Sequence, residues 1–181
     1  MTKIVFYGDS ITEQFEALNE FEHIINLGIG GDKTVELIGR FRQVYAAKPD
    51  RLFIMIGIND YLVNQGVWAH GFKIPFKKTY DVLMDLIKTN LPNTDVYLIS
   101  ILPINKGTLD ESVIDNYNQG INSYNDWVQQ KASEYGFNFV DLRPHFKDED
   151  GRLKSSFTKD GIHLTDLGYE VYLNQIRPLL Q

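Results

Sequence analysis

The stretch Lys3-Ile4-Val5-Phe6-Tyr7-Gly8-Asp9-Ser10-Ile11-Thr12 decides the fold. Its apolar run shows no polar alternation, so it reads as a strand buried on both faces. A glycine and then a serine close the strand just before a new element begins. Open α/β sheets place their reactive groups there, outside the carboxyl ends of the strands. Ser10 is therefore a candidate nucleophile. A second reading of the same serine is a helix N-cap, whose hydroxyl accepts an orphan backbone N–H. The stretch alone favours the cap, and what decides against it lies far downstream.

Outward from this strand, short apolar runs recur at Ile24–Leu27, Leu52–Ile56, Val96–Ile99 and Phe139–Leu142, giving five strands in all. Helical spacing joins Leu37, Phe41, Val44 and Tyr45; then Tyr80, Leu83, Met84, Ile87 and Leu91; then Ile114 through Ala132; and last Tyr169, Leu173 and Ile176. Strands rich in Ile, Val and Phe that alternate with helices suit a parallel sheet covered on both faces. The expected fold is a flavodoxin-like three-layer α/β/α sandwich with a five-stranded parallel sheet, as one domain over residues 1–181. One long irregular piece is expected from about Asp60 to Pro75.

The chain has 181 residues, of which 43% are hydrophobic and 23% charged, enough for one sizeable core. Its formal net charge of −6 argues against nucleic acid or an anionic membrane as partner, because phosphate binding needs a basic surface. With no cysteine, a disulfide framework, a thiolate metal site and a cysteine nucleophile are all excluded. No run approaches a membrane span and no signal peptide is recognisable, so the expected location is cytoplasmic.

Three further segments carry chemistry. After the second strand, Gly28-Ile29-Gly30-Gly31-Asp32-Lys33-Thr34 opens a helix with glycines that let backbone N–H groups face an anion. It is no dinucleotide fingerprint, since Lys33 stands where the third glycine belongs. The third strand runs into Gly57-Ile58-Asn59-Asp60, where Asn59 could donate to a developing oxyanion or make a local turn bond. Asp160-Gly161-Ile162-His163 precedes the last helix. A carboxylate three residues before an imidazole can hold one ring nitrogen as N–H and leave the other free as a base. No two histidines have the spacing of a metal site, so no metal is expected.

Taken together, Gly-Asp-Ser, the glycine block, Gly-x-Asn-Asp and Asp-x-x-His, in this order from Gly8 to His163, resemble the GDSL or SGNH hydrolase family. The resemblance implies an esterase or acylhydrolase that needs no cofactor. Carried over position by position, it makes Ser10 the nucleophile and Asp160 and His163 its triad partners. The oxyanion donors become the Ser10 backbone N–H, Gly31 and Asn59. Gly31 is preferred because it directly precedes the acidic Asp32; Gly30 is the alternative. Asp9 is expected to fix the turn rather than to take part in chemistry.

The expected partner is a small-molecule ester. No inserted lid is visible, which suits a shallow site and a short acyl group, most simply acetyl on a carbohydrate or small lipid. Lysophospholipase or thioesterase activity is the alternative within the class, and a non-catalytic carbohydrate-binding relative is the alternative outside it. The aromatic segment between Tyr61 and Phe72 could shape the pocket or simply pack.

Overall fold

The structure, a computed structural model, describes residues 2–67, 73 and 75–181. Its strands are β1 (Ile4–Gly8), β2 (Ile24–Gly28), β3 (Arg51–Met55), β4 (Asp95–Ile99) and β5 (Asn138–Val140). All pair in parallel, in the order β2-β1-β3-β4-β5. The helices are α1 (Ser10–Glu13), α2 (Thr34–Gly39), α3 (Arg42–Ala47), α4 (Ile58–Asn64), α5 (Phe76–Asn90), α6 (Glu111–Tyr135), α7 (Arg143–Phe146) and α8 (Asp166–Ile176).

Register assigns the layers. Phe6 lies opposite Phe53, and Phe53 opposite Tyr97, so the three rings share one face of the sheet. They stack with centroids 4.7 Å apart at each step. Phe15 packs edge-on to Phe6 and against Tyr169 and Tyr172, which places α8 over this face. Tyr7, one residue along and so on the opposite face, donates its hydroxyl to the Leu37 carbonyl of α2. Tyr80 of α5 and Tyr124 and Trp127 of α6 pack together on that second side. Apolar side chains fill both layers, and Ile4, Val5, Tyr7, Leu52, Phe53 and Ile54 are wholly buried.

This strand order positions the site. The chain steps from β1 outward to β2, then crosses back past β1 to β3. Loops after β1 and β3 therefore diverge, leaving a crevice between them at the carboxyl edge. Ser10 follows β1 and Asn59 follows β3.

Three local expectations are corrected. The helix expected across Leu37, Phe41, Val44 and Tyr45 is two helices, α2 and α3, parted at Arg40 and Phe41. Gly39 is a poor helix interior residue, and the Arg40 side chain is drawn to the strand ends. The irregular piece expected from Asp60 begins instead as helix α4, which buries Tyr61, Leu62 and Val63; Trp68 to Phe72 and Ile74 lie outside the described residues. The last strand ends at Val140, because Leu142 turns into α7.

Candidate active site

At the end of β1, a Cβ on Gly8 would stand 2.3 Å from Thr12 Oγ1 and 2.4 Å from the Met55 carbonyl oxygen. Only glycine lets α1 fold back so closely on the strand ends. Asp9, not Ser10, is the N-cap of α1, its Oδ1 accepting the Ile11 N–H at 3.0 Å. Ser10 is thereby the first helical residue, whose backbone N–H has no acceptor within the helix. Asp9 is fully buried and its Oδ2 has no hydrogen-bond partner among the described residues. Burial pushes its carboxyl up to about 7, with Asp60 and Asp32 adding to the shift.

Ser10 Oγ lies 3.0 Å from His163 Nε2, and His163 Nδ1 lies 2.6 Å from Asp160 Oδ2. The residues come from opposite ends of the chain. Asp160 Oδ1 accepts the backbone N–H groups of Ile162 and His163 at 3.0 and 2.8 Å, which folds the short loop around the carboxylate. Partial burial pushes the Asp160 carboxyl up, but the bonds from the His163 ring and these backbone groups outweigh it and hold it below the usual range. Thr158 Oγ1 closes the loop, donating to the His163 carbonyl and accepting the Gly161 N–H.

The glycine turn lies alongside the serine, since a Cβ on Gly30 would approach Ser10 Cβ to 3.8 Å. The two glycines differ. Gly30 donates its N–H to Glu13 Oε2 at 3.1 Å, whereas Gly31, at φ +80°, has no acceptor for its N–H among the described residues. Asn59 Nδ2 donates to the Asp32 carbonyl at 3.0 Å. Its neighbour Asp60, fully buried, accepts from the Thr34 N–H and hydroxyl. Both residues thus tie the end of β3 to the turn after β2.

Residues 6–171 match the GDSL-like Lipase/Acylhydrolase family. The chain belongs to that family.

As a GDSL-type hydrolase it is an ester-hydrolysing enzyme. It is 25% identical over 187 residues to platelet-activating factor acetylhydrolase IB subunit alpha1 of Rattus norvegicus, covering 98% of this chain and 75% of the relative. It is 27% identical over 181 residues to acetylxylan esterase of Geobacillus stearothermophilus, covering 81% and 78%. It also aligns, at 26% identity, over its whole length with N-acylneuraminate cytidylyltransferase of Escherichia coli, of which it spans only 41%. Among solved structures, a GDSL-like lipase from Bacteroides thetaiotaomicron superposes with a TM-score of 0.82 at 26% identity, covering 98% of this chain and 87% of the other.

Several supporting residues of this GDSL-type hydrolase escaped the sequence reading. Asn118 and Asn125 of α6, both buried, each exchange two hydrogen bonds with a loop backbone: Asn125 with Ile101 and Asn118 with Ile104. A signal existed, because both fall on the apolar stripe of Ile114, Ile121 and Val128. The loop they grip carries the Asp160 turn, through Asn105 N–H to the Gly161 carbonyl and Thr108 N–H to the Asp160 carbonyl, both at 2.8 Å. Arg40 left little local signal, since beside Gln43, three residues on, its partners are carbonyls of β1 and β2 and the carboxylate of Asp32. Near the site a recess of about 10 Å³ is lined by Asp9, Ile11, Met55, Ile58, Leu102 and Ile162 among others. Among the described residues no cluster of three or more His, Cys, Asp or Glu could hold a metal, and no helix is long and apolar enough to cross a membrane.

Proposed function

We propose that the chain is a serine esterase in which Ser10, His163 and Asp160 form the triad. The observation that carries this reading is the unbroken hydrogen-bonded line from Ser10 Oγ through the imidazole to Asp160 Oδ2, at 3.0 and 2.6 Å. In that line Asp160 accepts from Nδ1–H, fixing the tautomer that leaves Nε2 as the base. As Ser10 Oγ bonds to the ester carbonyl carbon, its proton passes to His163 Nε2. The proton then goes to the departing alkoxide as the C–O bond breaks, leaving an acyl-enzyme. Water, deprotonated by the same nitrogen, releases the carboxylic acid and restores Ser10.

Charge that develops on the carbonyl oxygen meets three donors in this reading: the backbone N–H groups of Ser10 and Gly31, and Asn59 Nδ2. Gly31 is favoured over Gly30, whose N–H is already given to Glu13. An amide NH₂ has two donors. One N–H of Asn59 is anchored on Asp32, which aims the other. Such fixed donors act on the tetrahedral states, where the negative charge appears.

Acetyl is the acyl group proposed here, because the names of the rat and Geobacillus relatives specify acetyl groups. An alkyl phosphonate that mimics the tetrahedral state tests the mechanism. The expected result is one equivalent of adduct on Ser10, absent from Ser10→Ala; a folded protein that takes up none would favour the carbohydrate-binding reading. In a p-nitrophenyl ester series, kcat/KM should fall from acetyl to longer chains, and a long-chain preference would overturn the acetyl assignment.

A further inference from the structure

We propose that Arg40 is the positioning residue of the oxyanion hole, a single guanidinium that sets the places of all three donors. This rests on the proposed serine-esterase reading of the site. Its Nη2 donates to the carbonyl of Gly8, two residues before Ser10, at 3.1 Å. Its Nη1 donates to Leu27, at the end of the neighbouring strand, at 2.8 Å. Its Nε pairs with Asp32 Oδ2 at 2.7 Å. Asp32 directly follows Gly31, and its carbonyl holds Asn59 at 3.0 Å. Each proposed donor therefore stands within two residues of an acceptor that Arg40 holds, or is bonded to the same residue.

The guanidinium is itself fixed. It lies over the Tyr7 ring at 4.4 Å, and Tyr7 is pinned through its hydroxyl to Leu37. Only 14% of the Arg40 side chain is exposed, and 10% of that of Asp32. A planar fork with five donors can satisfy acceptors on three segments while stacking on an aromatic face; an ammonium on a flexible stem cannot. Arg40 breaks the expected helix between α2 and α3, and this placement gives the break a role: the side chain turns toward the strand ends instead of continuing along the helix surface.

The test is Arg40→Ala beside Arg40→Lys, each checked for folding, with two readouts. The first is kinetics with p-nitrophenyl acetate. Displacing the donors affects the transition state more than substrate binding, so kcat should fall on the order of a hundredfold with KM little changed. The lysine variant should also lose most of this rate, and it serves alone if the alanine variant does not fold. The second readout is the NMR resonance of the Asn59 side-chain amide, which should shift toward that of an unbonded amide in both variants. Folded variants with wild-type kcat and an unmoved Asn59 amide, whatever their melting temperature, would overturn the proposal. If the wild type hydrolysed no ester, the serine-esterase reading would fall, while the amide resonance would still decide whether Arg40 positions Asn59.

Discussion

The Asn59 side chain donates to the Asp32 carbonyl at 3.0 Å, across the gap between the ends of β3 and β2. That bond makes the amide a fixed part of the crevice rather than a free surface group. Removing it deletes one proposed oxyanion donor and one tie between the loops.

Asn59→Ala should lower kcat by about 10²–10³-fold, the usual cost of one such donor. KM should move far less. Steady-state kinetics on a folded variant checks this, and unchanged turnover would remove Asn59 from the site.

Within the triad, His163→Ala should cost more than Asp160→Asn, because the base moves the proton while the carboxylate orients it. Losses on the order of 10⁶-fold and 10⁴-fold are expected by comparison with other serine hydrolases. Measured kcat values in the reverse order would mean that something other than Asp160 orients the imidazole.

Asp9 should make stability pH-dependent. Its carboxyl in the folded protein is pushed up to about 7 by burial. Between the ordinary carboxylate value and that one, the native state keeps a proton that the unfolded chain has lost. Stability from this group is therefore present at low pH and lost as pH rises through about 7. Asparagine preserves the acceptor for Ile11 N–H and cannot ionise. Urea unfolding should show Asp9→Asn gaining roughly 2–4 kcal/mol on the wild type between about pH 4.5 and about pH 8. An unchanged difference across that range would show Asp9 ionised throughout. Asp160, held below its ordinary range, acts in the opposite sense: its contribution is lost as pH falls.

Asn118→Leu should both destabilise the protein and slow it. The substitution keeps the branched outline of the side chain but strands the Ile104 N–H and carbonyl, a cost of roughly 2–4 kcal/mol for two buried backbone groups. Because the same loop supports the Asp160 turn, kcat should fall as well. A denaturation midpoint that moves without any change in kcat would separate the loop from the triad.

How far the sequence was legible follows from where each interaction begins and ends. Asp160 and His163 are three residues apart, so their pairing is local and readable. Ser10 was readable as a strand-end serine. Its competing reading as an N-cap was settled by Asp9, whose carboxylate reaches Ile11 first. The choice between Gly30 and Gly31 turns on Glu13, a contact across segments that spacing does not reveal. Arg40 was invisible for the same reason, since two of its partners are backbone carbonyls and these carry no side-chain signature. Helix α4 was missed because Gly57-Ile58-Asn59-Asp60 reads as turn chemistry, yet tertiary burial of Tyr61, Leu62 and Val63 carries the helix through it.

The decisive measurement for the Ser10 nucleophile is hydrolysis of p-nitrophenyl acetate by the wild type beside Ser10→Ala, both confirmed folded. Turnover by the wild type should vanish with the Ser10 hydroxyl. Turnover of equal size in Ser10→Ala would contradict it.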